Sequence, residues 1–131
     1  MELSLTVPSL HILGIMQRTP WTERKFIFDF PEGWLFNIKE RLRGTIARLL
    51  WMTASLPDET LSYKPDGKWS IKEHIGHLID LEELHDGRLD DFVARAEILR
   101  AADMTNAKTV EANHNTKKLE ELLTTFMVAR S

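Results

Sequence analysis

The sequence predicts an all-α fold, a bundle of amphipathic helices preceded by an extended N-terminal arm. Segments near 32–55, 70–99 and 116–130 each repeat apolar residues at steps of three and four, the spacing of a helix with one buried face. Pro31 suits the first turn of the first segment, and Ser70 suits the N-cap of the second. A length of 131 residues, with 43% hydrophobic and 28% charged side chains, fits one globular domain.

The N-terminal part does not hold one period. Residues 1–20 pass from strand-like to helix-like apolar spacing, and Pro8 and Pro20 interrupt both patterns. We therefore divide the chain into an arm, residues 1–20, and a helical bundle, residues 21–131. The residues expected to face the core from the first helix are Leu35, Ile38, Leu42, Ile46, Leu49 and Leu50.

The second predicted helix has the clearest pattern in the chain. Ser70 and Glu73 form a capping box, in which each side chain accepts a hydrogen bond from an unpaired backbone amide. One apolar seam is expected to run along the whole helix, and its members are Ile71, Ile75, Leu78, Leu89, Phe92, Ala96 and Leu99. Glu82 and His85 occupy the two seam positions in the gap between Leu78 and Leu89.

This helix also concentrates the histidines. His74 and His77 lie about 60° apart around the helix axis, whereas His74 and His85 lie about 20° apart but nearly three turns distant. Imidazole and carboxylate groups are the ligands that zinc, nickel, iron and manganese prefer, and helical bundles build such sites from facing helices. A second interpretation stays open: the histidines hydrogen-bond to neighbours, and Glu82 pairs with an arginine of another helix.

Several functional classes are disfavoured by composition. A net charge of −3 argues against a nucleic-acid partner, and the absence of cysteine excludes thiol catalysis and disulfides. No apolar run approaches the roughly 20 residues of a membrane span, and the first residues lack the basic start of a secretory signal, so a cytoplasmic protein is expected. The sequence His74-Ile75-Gly76-His77 matches a nucleotide-binding signature of class I aminoacyl-tRNA synthetases, but it lies inside a predicted helix and is treated as chance.

Three stretches together resemble the DinB/YfiT-like superfamily. They are Trp21–Phe26, Glu40–Thr45 and Trp69–Asp80, the last of which contains the tryptophan-serine start and a His-Leu-x-Asp tract. The resemblance covers roughly residues 20–130. It implies a four-helix bundle with a long crossover connection and a divalent metal held by three histidines.

The resemblance also implies particular residues. His77 matches the first metal ligand of the family, and the other two ligands come from a His-x-x-x-His pair on the fourth helix. That pair has no match here, since His114 precedes the last predicted helix, and a bundle lacking its fourth helix is therefore expected. Helical geometry, not the resemblance, adds His74, Glu82 and His85, which are expected to form a second shell or pocket around the metal.

Two functions follow as expectations. The first is a metal-dependent enzyme of the transferase or hydrolase type, with zinc, nickel, iron or manganese, a low-molecular-weight thiol or water on the metal, and a small-molecule substrate. The second is a non-catalytic, stress-related or structural bundle. In either case we expect a homodimer, formed through the apolar surface that a fourth helix would cover.

Overall fold

The computed structural model describes residues 19–20, 23–27 and 29–130, and within them it confirms the all-α prediction, since it contains five α-helices and no strand. The helices are α1 (Trp34–Thr53), α2 (Asp58–Ser62), α3 (Ile71–Val93), α4 (Ala107–Glu111) and α5 (Leu119–Ala129). Short 3₁₀ turns, Pro65–Gly67 and His114–Thr116, precede α3 and α5.

The chain divides into two compact units, Met1–Glu32 and Gly33–Ser131, and all five helices belong to the second unit. Residues 1–18 of the predicted arm lie outside the described residues. The division of the chain at residue 20 therefore stays a prediction.

The start of α3 confirms the predicted capping box. Ser70 Oγ accepts a hydrogen bond from Glu73 N at 3.1 Å, and Glu73 Oε2 accepts one from Ser70 N at 2.9 Å. The same serine hydroxyl donates to Asn115 Oδ1 at 2.5 Å, and the amide of Asn115 donates to the carbonyl of Ser62 at 3.3 Å. The cap therefore also ties α3 to the end of α2 and to the turn that precedes α5.

The core lies between α3 and α5. Ile75 of α3 packs with Leu122 and Leu123 of α5 in one buried cluster, and Phe126 is fully buried nearby on α5. Partly buried apolar residues complete this cluster, namely Leu49, Ile71, Ile79 and Leu119. The predicted apolar face of the last helix is therefore confirmed, because these residues recur at helical spacing and α3 covers them.

The predicted length of the second helix is wrong. Helix α3 ends at Val93, not at residue 99, and Arg95 then adopts a left-handed backbone conformation with φ of 54°. The predicted seam is not continuous either, since Leu89 and Phe92 are 63% and 65% exposed. After Val93 the chain reverses direction, so that Arg100 lies beside Arg88 and Asp91 of α3.

Arg100 holds the segment that follows α3 against this helix. Its backbone N–H and its guanidinium donate three hydrogen bonds to the carboxylate of Asp91, at 2.8, 3.0 and 2.8 Å. The hydrogen bonds from Arg100 lower the pKa of Asp91 to about 2. The guanidinium lies directly against Gly87, where an added Cβ would meet Arg100 Nη1 at 1.8 Å. A side chain at residue 87 would therefore displace the arginine.

Helix α1 buries less of its predicted face than expected. Ile46 and Leu49 are half-buried, but the other predicted core residues are exposed, namely Leu35, Ile38, Leu42 and Leu50. The reason is that α1 packs mainly on α5, through its C-terminal half. Among the described residues, no helix combines the length and the apolarity that crossing a bilayer requires.

Substitution Ser70→Ala should lower the free energy of unfolding by roughly 1–2 kcal/mol, because it removes the acceptor for Glu73 N and the donor to Asn115. Denaturant unfolding monitored by circular dichroism measures this change. Ser55→Ala, at an exposed position between α1 and α2, serves as the control and should change stability by less than about 0.5 kcal/mol. Equal effects of the two substitutions would contradict the structural role of the cap.

Candidate functional site around His77

The first turns of α3 bring two histidines against one tryptophan. Trp69 immediately precedes the cap residue, and its ring lies 4.8 Å from the ring of His77 and 5.5 Å from that of His74, centroid to centroid. His77 is half-buried and His74 is exposed. Trp69 therefore covers part of His77, while His74 stays at the solvent side of the indole.

One ring nitrogen of His77 is held by a hydrogen-bonded pair from two helices. His77 Nδ1 lies 3.0 Å from Thr109 Oγ1, and this hydroxyl donates to Asp80 Oδ2 at 2.9 Å. A threonine hydroxyl has one proton, and here Asp80 accepts it, so Thr109 can only accept from His77. In the neutral imidazole the proton therefore resides on Nδ1, and Nε2 carries the lone pair.

A second histidine, His114, contacts the same carboxylate. His114 Nε2 lies 2.9 Å from Asp80 Oδ2, and His114 is only 2% exposed. Because the carboxylate accepts, His114 Nε2 is the donor. Its other ring nitrogen, Nδ1, is buried and has no hydrogen-bond partner among the described residues.

Gly76 makes room for this buried ring. An added Cβ at residue 76 would lie 2.1 Å from Cγ of His114, a distance that no packed side chain can have. The glycine inside the His74–His77 sequence therefore has a packing role. It lets His114 approach the α3 backbone one residue before His77.

The connection between α3 and α5 brings Thr109 and His114 within hydrogen-bonding distance of Asp80 on α3. Asn106 and Asn113, which precede α4 and the second 3₁₀ turn, have left-handed φ values of 55° and 53°, a conformation that asparagine tolerates better than most residues. Asp103 organises the start of α4, since its Oδ2 accepts a 2.8 Å hydrogen bond from the first backbone N–H of that helix. These local turns set the direction from which both side chains reach Asp80.

The site favours the neutral form of His77. Burial lowers the pKa of His77 below its ordinary value of 6.5, the negative charge of Asp80 opposes this shift, and His74 and His114 add to it. His77 is therefore neutral at pH 7. A neutral imidazole whose proton is on Nδ1 presents Nε2 as a base or as a metal ligand.

Glu82 is buried in a different part of the bundle. Its Oε1 accepts from Arg130 Nε at 2.9 Å and lies 2.7 Å from Arg130 Nη2, and the guanidinium stacks on Phe126 at 4.8 Å. The interpretation that an arginine of another helix satisfies Glu82 is therefore confirmed. His85 is exposed and lines an open groove beside Arg130 and Leu42, so the structure brings neither Glu82 nor His85 to His77.

The described residues fit one part of a metal centre. His77 offers an oriented imidazole, but in residues 19–20, 23–27 and 29–130 no three His, Asp or Glu side chains converge closely enough to hold an ion. A protein metal site needs three or four ligands.

The part of the chain that carries the site also matches a known protein family. The DinB superfamily model matches residues 41–130, which is more than half of the chain and includes His77, Asp80, Thr109 and His114. The protein therefore belongs to the DinB superfamily, and the resemblance noted in the sequence is confirmed. No curated protein and no solved structure gives a significant match.

The sequence did not single out Thr109 or His114 as parts of the site. They lie 32 and 37 residues after His77, so no local spacing connects them to it. The one local signal was Gly76, because a glycine in a helix interior costs stability unless close packing requires it. Its position points to a bulky group against that turn of α3, which the structure identifies as the ring of His114.

Substitution Gly76→Ala should destabilise the protein by roughly 1–3 kcal/mol, since the new methyl group overlaps the His114 ring. On an open helix the same change would stabilise by up to about 1 kcal/mol, so the sign of the effect reports the close contact. Denaturant unfolding measures it. Gly33→Ala is the control, because nothing lies within 4 Å of a Cβ added there and its φ of −68° suits alanine; a stabilised Gly76→Ala variant would contradict the packing role.

Proposed function

We propose that this protein is a metal-dependent enzyme of the transferase or hydrolase type within the DinB superfamily, and that His77 is a metal ligand through Nε2. The observation that carries the proposal is the hydrogen bond from His77 Nδ1 to Thr109, which is itself bound to Asp80. Metal-binding histidines are commonly held in this way, with one nitrogen bound to a protein oxygen and the other on the metal. Membership of the superfamily supports the proposal.

Zinc, nickel, iron and manganese all accept a neutral imidazole nitrogen, and the lowered pKa of His77 keeps it in that form. A bound metal would supply Lewis acidity, lowering the pKa of a coordinated water or low-molecular-weight thiol. Thr109 and Asp80 orient the His77 ring, and Trp69 covers part of it against solvent.

We further propose that a small-molecule substrate or thiol approaches from the His74 side of Trp69. His74 is exposed there and its ring contacts the edge of the indole. The two histidines are less than a full helical turn apart, so a group held at His77 Nε2 would be close to this surface. On this proposal His74 is a residue of the substrate pocket.

Substitution His77→Ala should abolish or greatly weaken binding of Zn²⁺ and Ni²⁺ to the metal-free protein, because it removes the oriented ligand. Calorimetric titration with each metal alone, supported by the metal content of the purified protein, measures this loss. His85→Ala is a matched control, since it removes an exposed histidine from the same helix.

The affinity of the wild-type protein for metal should also fall as the pH drops through the pKa of His77, which lies below 6.5, because protons then compete for Nε2.

Two outcomes would contradict the proposal. One is a folded wild-type protein that binds none of these metals. The other is a His77→Ala variant whose affinity equals that of the wild type, in particular if His85→Ala is the variant that loses binding. Circular dichroism of each variant confirms that the fold is kept.

A second candidate function is a non-catalytic bundle that acts as a dimer, and the exposed apolar side chains favour it. Leu42 of α1 is 47% exposed and lines one groove with Leu89 of α3, which is 63% exposed; Phe92 follows one turn later at 65%. Clustered exposed apolar groups on a soluble protein commonly mark an interface. A two-fold dimer is the commonest arrangement that covers such a surface.

The protein should therefore sediment as a dimer rather than as a 15.2 kDa monomer at high micromolar concentration. Substitution Leu89→Glu should shift the equilibrium to monomer, because it introduces a charge into the apolar groove. Val110→Glu, at an exposed apolar position on α4, should leave the dimer intact. Analytical ultracentrifugation distinguishes these results, and a wild-type monomer throughout the concentration range would rule out this interface.

A further inference from the structure

We infer that His114 is a positioning residue for His77, and that it acts through Asp80 and Thr109 to keep the proton of His77 on Nδ1. The inference rests on the proposed function only in its consequence, since the Nε2 lone pair that results is the one proposed to bind metal. The proton position itself is a property of the metal-free protein.

One carboxylate oxygen connects the two histidines. Asp80 Oδ2 accepts from Thr109 Oγ1 at 2.9 Å and from His114 Nε2 at 2.9 Å. The N–H of His114 therefore fixes the oxygen toward which the Thr109 hydroxyl must point. Without that donor, the carboxylate is free to rotate, and the hydroxyl is free to turn and donate to His77 instead.

The burial of His114 supports a polar role over simple space filling. The residue is only 2% exposed, and its Nδ1 is buried with no partner among the described residues. Burying an unpaired polar atom costs free energy, and an apolar side chain would fill the same space without that cost. Within the part of the chain that the structure describes, the ring makes its hydrogen bond from Nε2 to Asp80.

The backbone of α3 couples the two histidines a second time. The His114 ring lies against Gly76, the residue immediately before His77. Asp80 follows His77 by three residues, so both side chains project from the same face of α3. His114 therefore contacts the helix on both sides of His77 along the chain, once by packing and once by a hydrogen bond.

The test compares two substitutions of nearly equal size in the metal-free protein. His114→Gln keeps an N–H donor, whereas His114→Met has similar length and no donor. Nitrogen-15 NMR of histidine-labelled protein at pH 8, above the ordinary pKa of 6.5, distinguishes the protonated from the unprotonated ring nitrogen of His77. Wild type and His114→Gln should show the proton on Nδ1 alone, and His114→Met should show both tautomers.

Two further variants make the comparison decisive. Thr109→Val removes the hydroxyl that contacts His77. This variant should show both tautomers of His77, whichever residue occupies position 114. Leu123→Ala destabilises the core without touching these groups and should leave the tautomer unchanged. If His114→Met fails to fold, His114→Leu replaces it, because leucine also lacks the N–H donor to Asp80.

The inference is overturned if folded His114→Met keeps the wild-type tautomer of His77, or if His114→Gln and His114→Met behave alike. Zn²⁺ titration adds a second measurement, in which His114→Met should weaken binding by roughly 10–100-fold and His114→Gln by much less. Failure of the proposed function would appear as a wild-type protein that binds no metal. The tautomer measurement remains valid in that case, so the two failures are distinguishable.

Discussion

The shared acceptor Asp80 Oδ2 is the interaction on which the arrangement of the site depends. A carboxylate that is largely buried needs donors to replace water, and Asp80 obtains them from residues 29 and 34 positions later in the chain. Thr109 lies on α4 and His114 begins the turn before α5, so satisfying one charge fixes both segments against α3. The orientation of His77 follows from this, because Thr109 has only its lone pairs left to offer.

The predictable parts of the fold are those with local causes. The cap at Ser70 depends on a residue three positions away, and the apolar face of α5 depends on spacing alone, so both could be predicted. Which part of an apolar helix face is buried by another helix could not be predicted in this way. Periodicity identified the apolar side of α1 but could not establish that only its C-terminal half is covered. The end of α3 at Val93 also escaped prediction, because it depends on Arg100 reaching Asp91 across a turn.

The candidate site divides in the same way. His77 could be chosen as a candidate from its tract. The pairing of Glu82 with an arginine could be foreseen in kind, because a buried carboxylate in a helical seam requires a cation or donors. Thr109 and His114 could not, since their contacts with α3 join residues about thirty positions apart. Glu82 and His85 were grouped with His77 on angular grounds, but they meet different neighbours further along α3.

The shortness of α4 has a consequence for the motions of the site. With five residues, Ala107–Glu111 cannot persist as an isolated helix and depends on its side-chain contacts, such as the ion pair of Lys108 with the exposed Glu83. Segments of this kind open locally at a much lower free energy than the whole domain unfolds. Each such opening withdraws Thr109 from His77, so the hydrogen bond that orients His77 Nδ1 lasts only as long as α4 stays closed, however stable the α3–α5 core is.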